Sequence, residues 1–163
     1  MAQKHVLAYT DGSSLGNPGP GGYGVILRHG EYEKELSGGF ACTTNNRMEI
    51  LAAIKALQAL KEPCTVTLHT DSQYLANAIT KGWARRWQKS GWMRNKKEVA
   101  LNPDLWEILL DLCKQHTVEF VWVRGHAGDT ANERCDLLAK TAAQQPGLPP
   151  DPGYDPAACR NRR

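Results

Sequence analysis

The stretch TVTLHTDSQYLANAIT, residues 65–80, joins an alternating apolar strand to an amphipathic helix through Asp71. The first strand of the chain, KHVLAYT at residues 4–10, runs into Asp11 in the same way, so that both strands end in Thr-Asp. Acids that follow strands at the carboxyl-terminal edge of an α/β sheet lie where such proteins bind ligands. This repeated pattern predicts an α/β fold with Asp11 and Asp71 at one edge of its sheet.

Outward from these two strands, hydrophobic periodicity predicts three strands, a helix, a strand, further helices, a strand and a last helix. The other strands are expected at residues 23–29, 31–40 and 118–123. This order favours a five-stranded mixed sheet, with three antiparallel strands followed by two parallel strands, flanked by helices. The Gly- and Pro-rich segment at residues 12–22 is predicted to be an irregular loop.

Helical periodicity begins at Asn45, Ser72, Asp104 and Asn132. Either Asp71 or Ser72 is available to cap the second helix. The last helix is expected to bury Leu137 and Leu138 together with Ala142.

Size and composition place the chain among single-domain globular proteins. It has 163 residues, of which 41% are hydrophobic and 23% are charged, and this balance excludes disordered, collagen-like and membrane-spanning classes. Residues 1–145 are predicted to form the domain. Five of the nine prolines fall within residues 146–163, so this terminal segment is predicted to be a flexible tail.

The five cysteines offer no obvious disulfide or zinc pattern. Their number is odd and they include no C-x-x-C pair, which favours a reducing, cytoplasmic setting. Each cysteine is expected to be a small buried hydrophobe, except Cys159, which is predicted to be a free thiol in the tail.

Positive charge is concentrated in the basic segment, residues 81–97. It contains seven Lys and Arg residues and no acid, whereas the whole chain carries only +3, so the rest of the molecule is slightly acidic. Trp83, Trp87 and Trp92 are interleaved with these cations, and the indoles either pack inward or stack on sugars and bases. This mixture of cations and aromatics predicts contacts to a nucleic acid.

Two more acids could join Asp11 and Asp71. Glu49 lies early in the first long helix and Asp136 early in the last one, so four carboxylates converge if both helices start at the same sheet edge. Each acid also has a structural explanation: Asn46 and Glu49 have capping-box spacing, Asp71 suits a helix cap, and Asp136 favours its helix dipole.

Crowded carboxylates repel one another unless cations lie between them, and oxygen ligands favour Mg²⁺ or Mn²⁺. Two such ions, about 4 Å apart, would support phosphodiester cleavage. His126 lies in a loop between glycines, where it could act as a proton shuttle.

Four blocks of sequence in this order resemble the bacterial type 1 ribonucleases H: TDGSSLGNPGPGGYG at 10–24, TTNNRME at 43–49, TDSQY at 70–74 and GHAGDTANERCD at 125–136. The resemblance covers about residues 5–145. It implies the ribonuclease H-like fold and metal-dependent endonucleolytic cleavage of the RNA strand of RNA–DNA hybrids, leaving 5′-phosphate and 3′-hydroxyl ends. It makes Mg²⁺ the expected ion, with Mn²⁺ as a substitute.

Residue by residue, the resemblance places the family's catalytic and metal-binding acids on Asp11, Glu49, Asp71 and Asp136, and its mobile catalytic histidine on His126. It implies contacts to the minor groove of the hybrid by Asn17, Asn45, Asn46 and Gln73, and a DNA-phosphate pocket at Thr44. The basic segment matches the family's substrate-binding protrusion, including Trp83, Trp87, Lys96 and Lys97. Cys42 departs from relatives that carry a basic residue beside that phosphate pocket.

The expected partner is an RNA–DNA hybrid, with no membrane and no small-molecule organic cofactor, and the expected state is a monomer. Two alternatives share parts of this pattern. A noncatalytic hybrid-binding module would keep the basic segment and could lose the acids, whereas a transposase or integrase core usually has three acids and separate end-binding domains.

Overall fold

The computed structural model describes residues 3–124 and 130–160. Its centre is one five-stranded sheet in the order β3-β2-β1-β4-β5. The strands are β1 (Lys4–Ser14), β2 (Gly19–His29), β3 (Tyr32–Thr43), β4 (Cys64–Thr70) and β5 (Thr117–Trp122). The β1/β2 and β2/β3 pairs are antiparallel, and the β1/β4 and β4/β5 pairs are parallel. The predicted mixed sheet is therefore confirmed.

Helices cover both faces of this sheet. They are α1 (Asn45–Gln58), α2 (Gln73–Thr80), α3 (Trp83–Lys89), α4 (Pro103–Gln115), α5 (Thr130–Ala143) and the short α6 (Ala157–Arg160). The main core lies between the sheet and α1 and α4, around the fully buried Trp106. Ile26 faces the opposite side, where it packs with Ala131 and Cys135 of α5. No helix in the described part of the chain is long and apolar enough to cross a membrane.

Of residues 12–22, only 15–18 form the irregular loop that the glycines and prolines suggest, and the others belong to strands. Strand β1 continues through Ser14 and β2 begins at Gly19, with Ser13 paired to Gly22 across the ladder. A Cβ atom on Gly22 or Gly24 would overlap the main chain of α5. These glycines therefore stay in the strand because they let the helix approach closely, a tertiary effect that local propensity does not show.

The same close approach explains why the predicted burial of Leu137 is wrong. Helix α5 contacts the sheet through its small residues Ala131, Cys135 and Ala139, whereas Leu137 is 53% exposed. Short side chains on the helix and glycines on the strand allow the two backbones to pack closely, and the large leucine is left on the outer face.

The terminal segment is folded back onto the domain, in contrast to the predicted flexible tail. Cys159 forms a disulfide with Cys42 at the end of β3, across a sequence separation of 117 residues. The main-chain N–H of Ala41 donates to the carbonyl oxygen of Pro149 at 2.9 Å, and the Asp151 side chain is buried. The predictions that Cys159 is a free thiol and Cys42 an unpaired hydrophobe are wrong, because spacing along the chain does not show where a terminal segment packs.

A buried cation holds this terminal segment in place. Arg47 of α1 is 2% exposed, and its guanidinium makes paired hydrogen bonds to the carboxylates of Asp104 and Asp151, with shortest distances of 2.7 Å to each. Its Nη1 also donates to Asn102 at 3.2 Å, and Thr43 donates to Asp151 at 2.7 Å. The free-energy cost of burying the guanidinium charge is offset by these two carboxylates and by the hydrogen bonds that they accept. The network joins the start of α1, the start of α4 and the tail.

Burial alone would raise the pKa of Asp151, but the hydrogen bonds from Arg47 and Thr43 outweigh it and hold the pKa below its usual value. A lowered pKa in the folded state means that Asp151 contributes stability above its unfolded-state pKa. That contribution is lost as the pH falls through the folded-state pKa.

We therefore expect Asp151→Asn to lower the free energy of unfolding by about 2–4 kcal/mol at pH 7, because buried Arg47 loses one of its two anions. Urea denaturation measures this difference, which should shrink below about pH 4, where the wild-type carboxylate protonates in the unfolded chain. Glu33→Gln, at the exposed Arg28–Glu33 pair, is the control and should have almost no effect. Equal stability of Asp151→Asn and the wild type would show that the network does not hold the tail.

Candidate active site

Three acidic side chains converge at one edge of the sheet. Each of Asp11, Glu49 and Asp71 offers a carboxylate oxygen, and these oxygens lie within 4.8 Å of one another. The parallel β1/β4 ladder pairs Thr10 with Thr70, which places the two aspartates that follow side by side. The structure therefore confirms that Asp11 and Asp71 lie together at one edge of the sheet.

Glu49 reaches the cluster because α1 packs unusually close to β1. A Cβ atom on Gly12 would overlap the main chain of Met48 and Glu49, so only glycine at this position permits the approach. The main-chain N–H of Gly12 also donates to Oδ1 of Asp11 at 2.9 Å, which orients that carboxylate. Gly12 therefore orients the carboxylate of Asp11 and also allows the main chain at Glu49 to approach β1.

The helix-capping roles considered for Glu49 and Asp71 are filled by other residues. Helix α1 is capped by Thr44, whose hydroxyl accepts from the N–H of Arg47 at 3.2 Å, so Asn46 and Glu49 do not form a capping box. Helix α2 is capped by Ser72, whose hydroxyl accepts from the N–H of Leu75 at 3.1 Å. Neither Glu49 nor Asp71 is needed to start its helix.

The cluster is strongly unfavourable as a set of anions. Asp11 and Glu49 are only 3% and 4% exposed. Burial, followed by the charge of Asp71, raises the pKa of Asp11 to about 8. Burial also raises the pKa of Glu49 well above its usual value, with further contributions from Asp11 and Asp71. The low dielectric and mutual repulsion both favour protonation.

These three acids fit a divalent metal ion. All the ligand atoms are carboxylate oxygens, which suit Mg²⁺ or Mn²⁺. Oε2 of Glu49 is buried and has no hydrogen-bond partner among the described residues. Such an atom is costly unless something positive lies against it. A cation bound between the carboxylates would remove both the repulsion and this cost.

Asp136, the fourth predicted acid, lies beside the cluster and not within the group of three. Its Oδ2 is paired with Nζ of Lys140 one turn later on α5, at 2.9 Å, and its side chain is partly exposed. Its charge still contributes to the raised pKa of Asp11. His126, the predicted proton shuttle, lies outside the described residues.

Several of the predicted substrate-binding residues surround the start of α1. Oδ1 of Asn17 accepts from the main-chain N–H of Asn45 at 3.1 Å, which links the β1–β2 connection to the first residue of the helix. Thr44 is the cap of the same helix, and Gln73 is the first residue of α2. Thr44, Asn45 and Gln73 therefore lie at the starts of α1 and α2, and Asn17 contacts the start of α1.

A cavity of about 750 Å³ extends from Asn46 into the basic segment. Trp83 and Trp87 line it, with ring centroids 6.5 Å apart, and both also pack against the main core. The two roles considered for these indoles are thus compatible. Arg86, one of the seven cations of the basic segment, lines the same cavity, and so does Tyr74, which was not among the predicted substrate contacts.

The rest of the basic segment presents its charge to solvent. Lys96 and Lys97 are exposed in the turn after α3. Arg94 pairs with Glu98, which lies just beyond the segment, so part of its positive charge is neutralised locally. The raw charge of the segment therefore overstates the number of cations available to a ligand.

Replacing one of the crowded acids should stabilise the metal-free fold. A pKa raised to about 8 means that Asp11 favours folding at low pH and loses this contribution as the pH rises from about 4 to about 8. At pH 8 and without metal, Asp11→Asn should therefore melt on the order of 5 °C above the wild type, and the gap should narrow towards pH 5.

Thermal denaturation at the two pH values checks this expectation. Glu107→Gln, an exposed change on α4, is the control and should leave Tm within about 1 °C. A lower Tm for Asp11→Asn at pH 8 would mean that the acids do not repel one another as their spacing implies.

Known proteins match this chain over nearly its full length. A sequence model described as RNase H matches residues 3–144. "Ribonuclease H" of Syntrophus aciditrophicus (strain SB) is 67% identical over 152 residues, which cover 93% of this chain and 88% of that protein. "Ribonuclease H" of Desulforamulus reducens is 64% identical over 148 residues, with coverages of 91% and 93%.

Solved structures agree with these sequence matches. LC9-RNase H1, described as a type 1 RNase H with the type 2 active-site motif, has a TM-score of 0.78 and 34% sequence identity to this chain. The match covers 88% of this chain and 74% of that one. The resemblance and the fold expected from the sequence are confirmed, and this chain belongs to the ribonuclease H family of endoribonucleases.

Proposed function

We propose that this protein hydrolyses the RNA strand of RNA–DNA hybrids by two-metal-ion catalysis, leaving 5′-phosphate and 3′-hydroxyl ends. The observation that carries the proposal is the convergence of Asp11, Glu49 and Asp71, together with a Trp-lined cavity that Asn46, three residues before Glu49 on α1, also lines. A phosphodiesterase that acts on a polyanion needs a cation-binding centre and a cationic surface, and this chain has both.

Asp11, Glu49 and Asp71 would hold the ions, and Asp136 would join them by exchanging its contact with Lys140. When bound, Mg²⁺ supplies an activated water on one side of the phosphate and charge stabilisation of the leaving oxygen on the other. The protein's own contribution is to keep the acids together before any ion arrives. The ladder of β1 and β4 and the close packing at Gly12 provide that preorganisation.

Recognition of the RNA strand is assigned to the amides near the start of α1 and α2. An amide can donate to and accept from a 2′-hydroxyl, which DNA lacks. Asn45 and Asn46 follow the Thr44 cap directly, so the helix start that fixes Glu49 also fixes these amides. The Thr44 region is proposed to receive a phosphate of the DNA strand, next to Cys42.

The basic segment is proposed to bind the DNA strand. Trp83 and Trp87 line a cavity of about 750 Å³, where their rings are available to contact sugars and bases, while Lys96 and Lys97 can reach phosphates from the exposed turn. These contacts are made to groups that do not change during hydrolysis. They should therefore govern substrate affinity and not the rate of the chemical step.

His126 is proposed to assist proton transfer or product release, because its block of sequence matches that of the family. In steady-state kinetics His126→Ala should lower kcat while hybrid affinity stays nearly constant.

Cytoplasmic location, monomeric state, independence from an organic cofactor and the domain boundary at residue 145 stay predictions from the sequence. The Cys42–Cys159 disulfide removes one of the reasons for a reducing compartment.

Asp71→Asn should abolish cleavage while hybrid affinity stays within a few-fold, because the change removes a metal ligand and leaves the basic segment intact. Labelled RNA–DNA hybrid, duplex DNA and duplex RNA are compared with and without Mg²⁺, and binding is measured separately in Ca²⁺. The wild type should cut only the RNA strand of the hybrid.

Two results would contradict this proposal. Near-normal turnover of Asp71→Asn at millimolar Mg²⁺ would remove Asp71 from the catalytic centre. Hybrid binding by the wild type without any cleavage would instead identify a noncatalytic hybrid-binding module.

Replacing Lys96 and Lys97 together by Ala should raise KM and leave kcat nearly unchanged. If three or four cations of the basic segment reach phosphates, log affinity should fall against log salt with a slope of roughly −3 to −4, and the double variant should reduce that slope by about one to two. Fluorescence titrations over a salt series measure both quantities.

The matched control replaces Lys61 and Lys114 by Ala. Both are exposed and precede β4 and β5, at the edge of the sheet opposite the acids. The control should keep the wild-type slope. An unchanged slope in the Lys96 and Lys97 variant would show that the substrate is held elsewhere.

A further inference from the structure

Trp122 has an unusual place at the edge of the sheet. It is the last residue of β5, and it is 44% exposed although its indole is large and apolar. Its Nε1–H donates to the main-chain carbonyl oxygen of Asp71 at 3.2 Å. An exposed tryptophan therefore holds the backbone of a residue in the acidic cluster.

This hydrogen bond lies where the regular strand pairing ends. The β4/β5 ladder pairs Thr70 with Trp122, and the N–H of Val123 donates to the carbonyl oxygen of Thr70 at 2.7 Å. One residue further, Asp71 lies outside both β4 and α2. The indole of Trp122 thus continues the pairing by one residue, with a side chain in place of the main chain.

A second side chain holds the residue after Asp71. The buried Thr70 hydroxyl accepts from the main-chain N–H of Ser72 at 3.1 Å. The contact from Trp122 therefore holds the main chain of Asp71 itself, and the contact from Thr70 holds the residue that follows it. Of these two, only the contact from Trp122 comes from a different strand.

The three acids differ in how their backbones are held. Asp11 lies within β1 and Glu49 within α1, so regular main-chain hydrogen bonds hold both. Asp71 lies in the short connection between a strand and a helix, where repulsion from two neighbouring carboxylates could displace it most easily. The backbone of Asp71 therefore depends most on additional contacts.

We propose that Trp122 is a positioning residue, which holds the Asp71 backbone so that its carboxylate meets those of Asp11 and Glu49 in a preorganised divalent-cation site. The proposal rests on the proposed function, because it assumes that the cluster binds a divalent metal ion. It assigns Trp122 a role in metal affinity and not in substrate contact.

Trp122→Phe tests this role, because it removes the indole N–H and keeps an aromatic ring at an exposed position. Isothermal titration with Mn²⁺ in the absence of nucleic acid should show a Kd about three- to tenfold higher than that of the wild type, as expected for the loss of one orienting hydrogen bond. The Mg²⁺ concentration for half-maximal cleavage should rise by a similar factor, while KM for the hybrid at saturating Mg²⁺ stays unchanged.

Trp106→Phe is the matched control. It also removes an indole N–H, but one that has no hydrogen-bond partner among the described residues and lies in the buried core. It should lower Tm without changing Mn²⁺ affinity, which separates loss of stability from loss of positioning.

Two outcomes would overturn the inference while leaving the proposed function intact. One is an unchanged Mn²⁺ Kd in Trp122→Phe. The other is a raised hybrid KM with unchanged Mn²⁺ affinity, which would make Trp122 a substrate contact. A wild type that binds no Mn²⁺ would overturn the metal site itself, and the positioning role with it.

Discussion

Repulsion among three crowded carboxylates, two of them buried, is the constraint on which the rest of this structure depends. Asp11, Glu49 and Asp71 come together from a strand, a helix and a strand–helix connection, although each would be more stable apart from the others. The parallel register of β1 and β4, the absence of a side chain at Gly12 and the caps at Thr44 and Ser72 all hold them in place. A protein gains nothing in stability from such a cluster, which is why it indicates function.

Helix α1 shows the contrast between a satisfied and an unsatisfied charge cluster. Arg47 and Glu49 are two residues apart, which places them about 200° apart around the helix. On one side, two carboxylates surround a buried guanidinium whose hydrogen bonds are satisfied. On the other side, Glu49 meets two more acids and keeps an oxygen without a hydrogen-bond partner in the described part of the chain. Only the second cluster requires a cation from outside the protein.

The sequence was sufficient to predict the five-stranded sheet and the adjacency of Asp11 and Asp71, because strand periodicity and a repeated strand ending are local patterns. It also identified Glu49 as a candidate for the cluster, on the condition that α1 starts at the same edge of the sheet, and the structure meets that condition. It was insufficient where tertiary contacts decide the structure. The glycines on β2 were predicted to form a loop, because the sequence does not show their close contact with α5. Leu137 was predicted to be buried because the sequence does not show that α5 packs through its small residues.

The disulfide and the folded tail show the same limit over a longer range. Cys42 and Cys159 are far apart in sequence, and Asp151 finds its buried partner Arg47 only after the tail crosses the domain. Neither spacing nor composition encodes such a contact. The sequence predicted Trp122 only as part of a strand. Its hydrogen bond to Asp71 could not be predicted, because it depends on the residue at which the β4/β5 ladder ends.

The central claim is that the three converging acids form a divalent-cation site. Anomalous diffraction from crystals of the wild-type protein soaked in millimolar Mn²⁺ tests it most directly. The account predicts a strong anomalous peak within coordination distance of the carboxylates of Asp11, Glu49 and Asp71. A map with no peak there, or with Mn²⁺ bound only elsewhere on the surface, would contradict it.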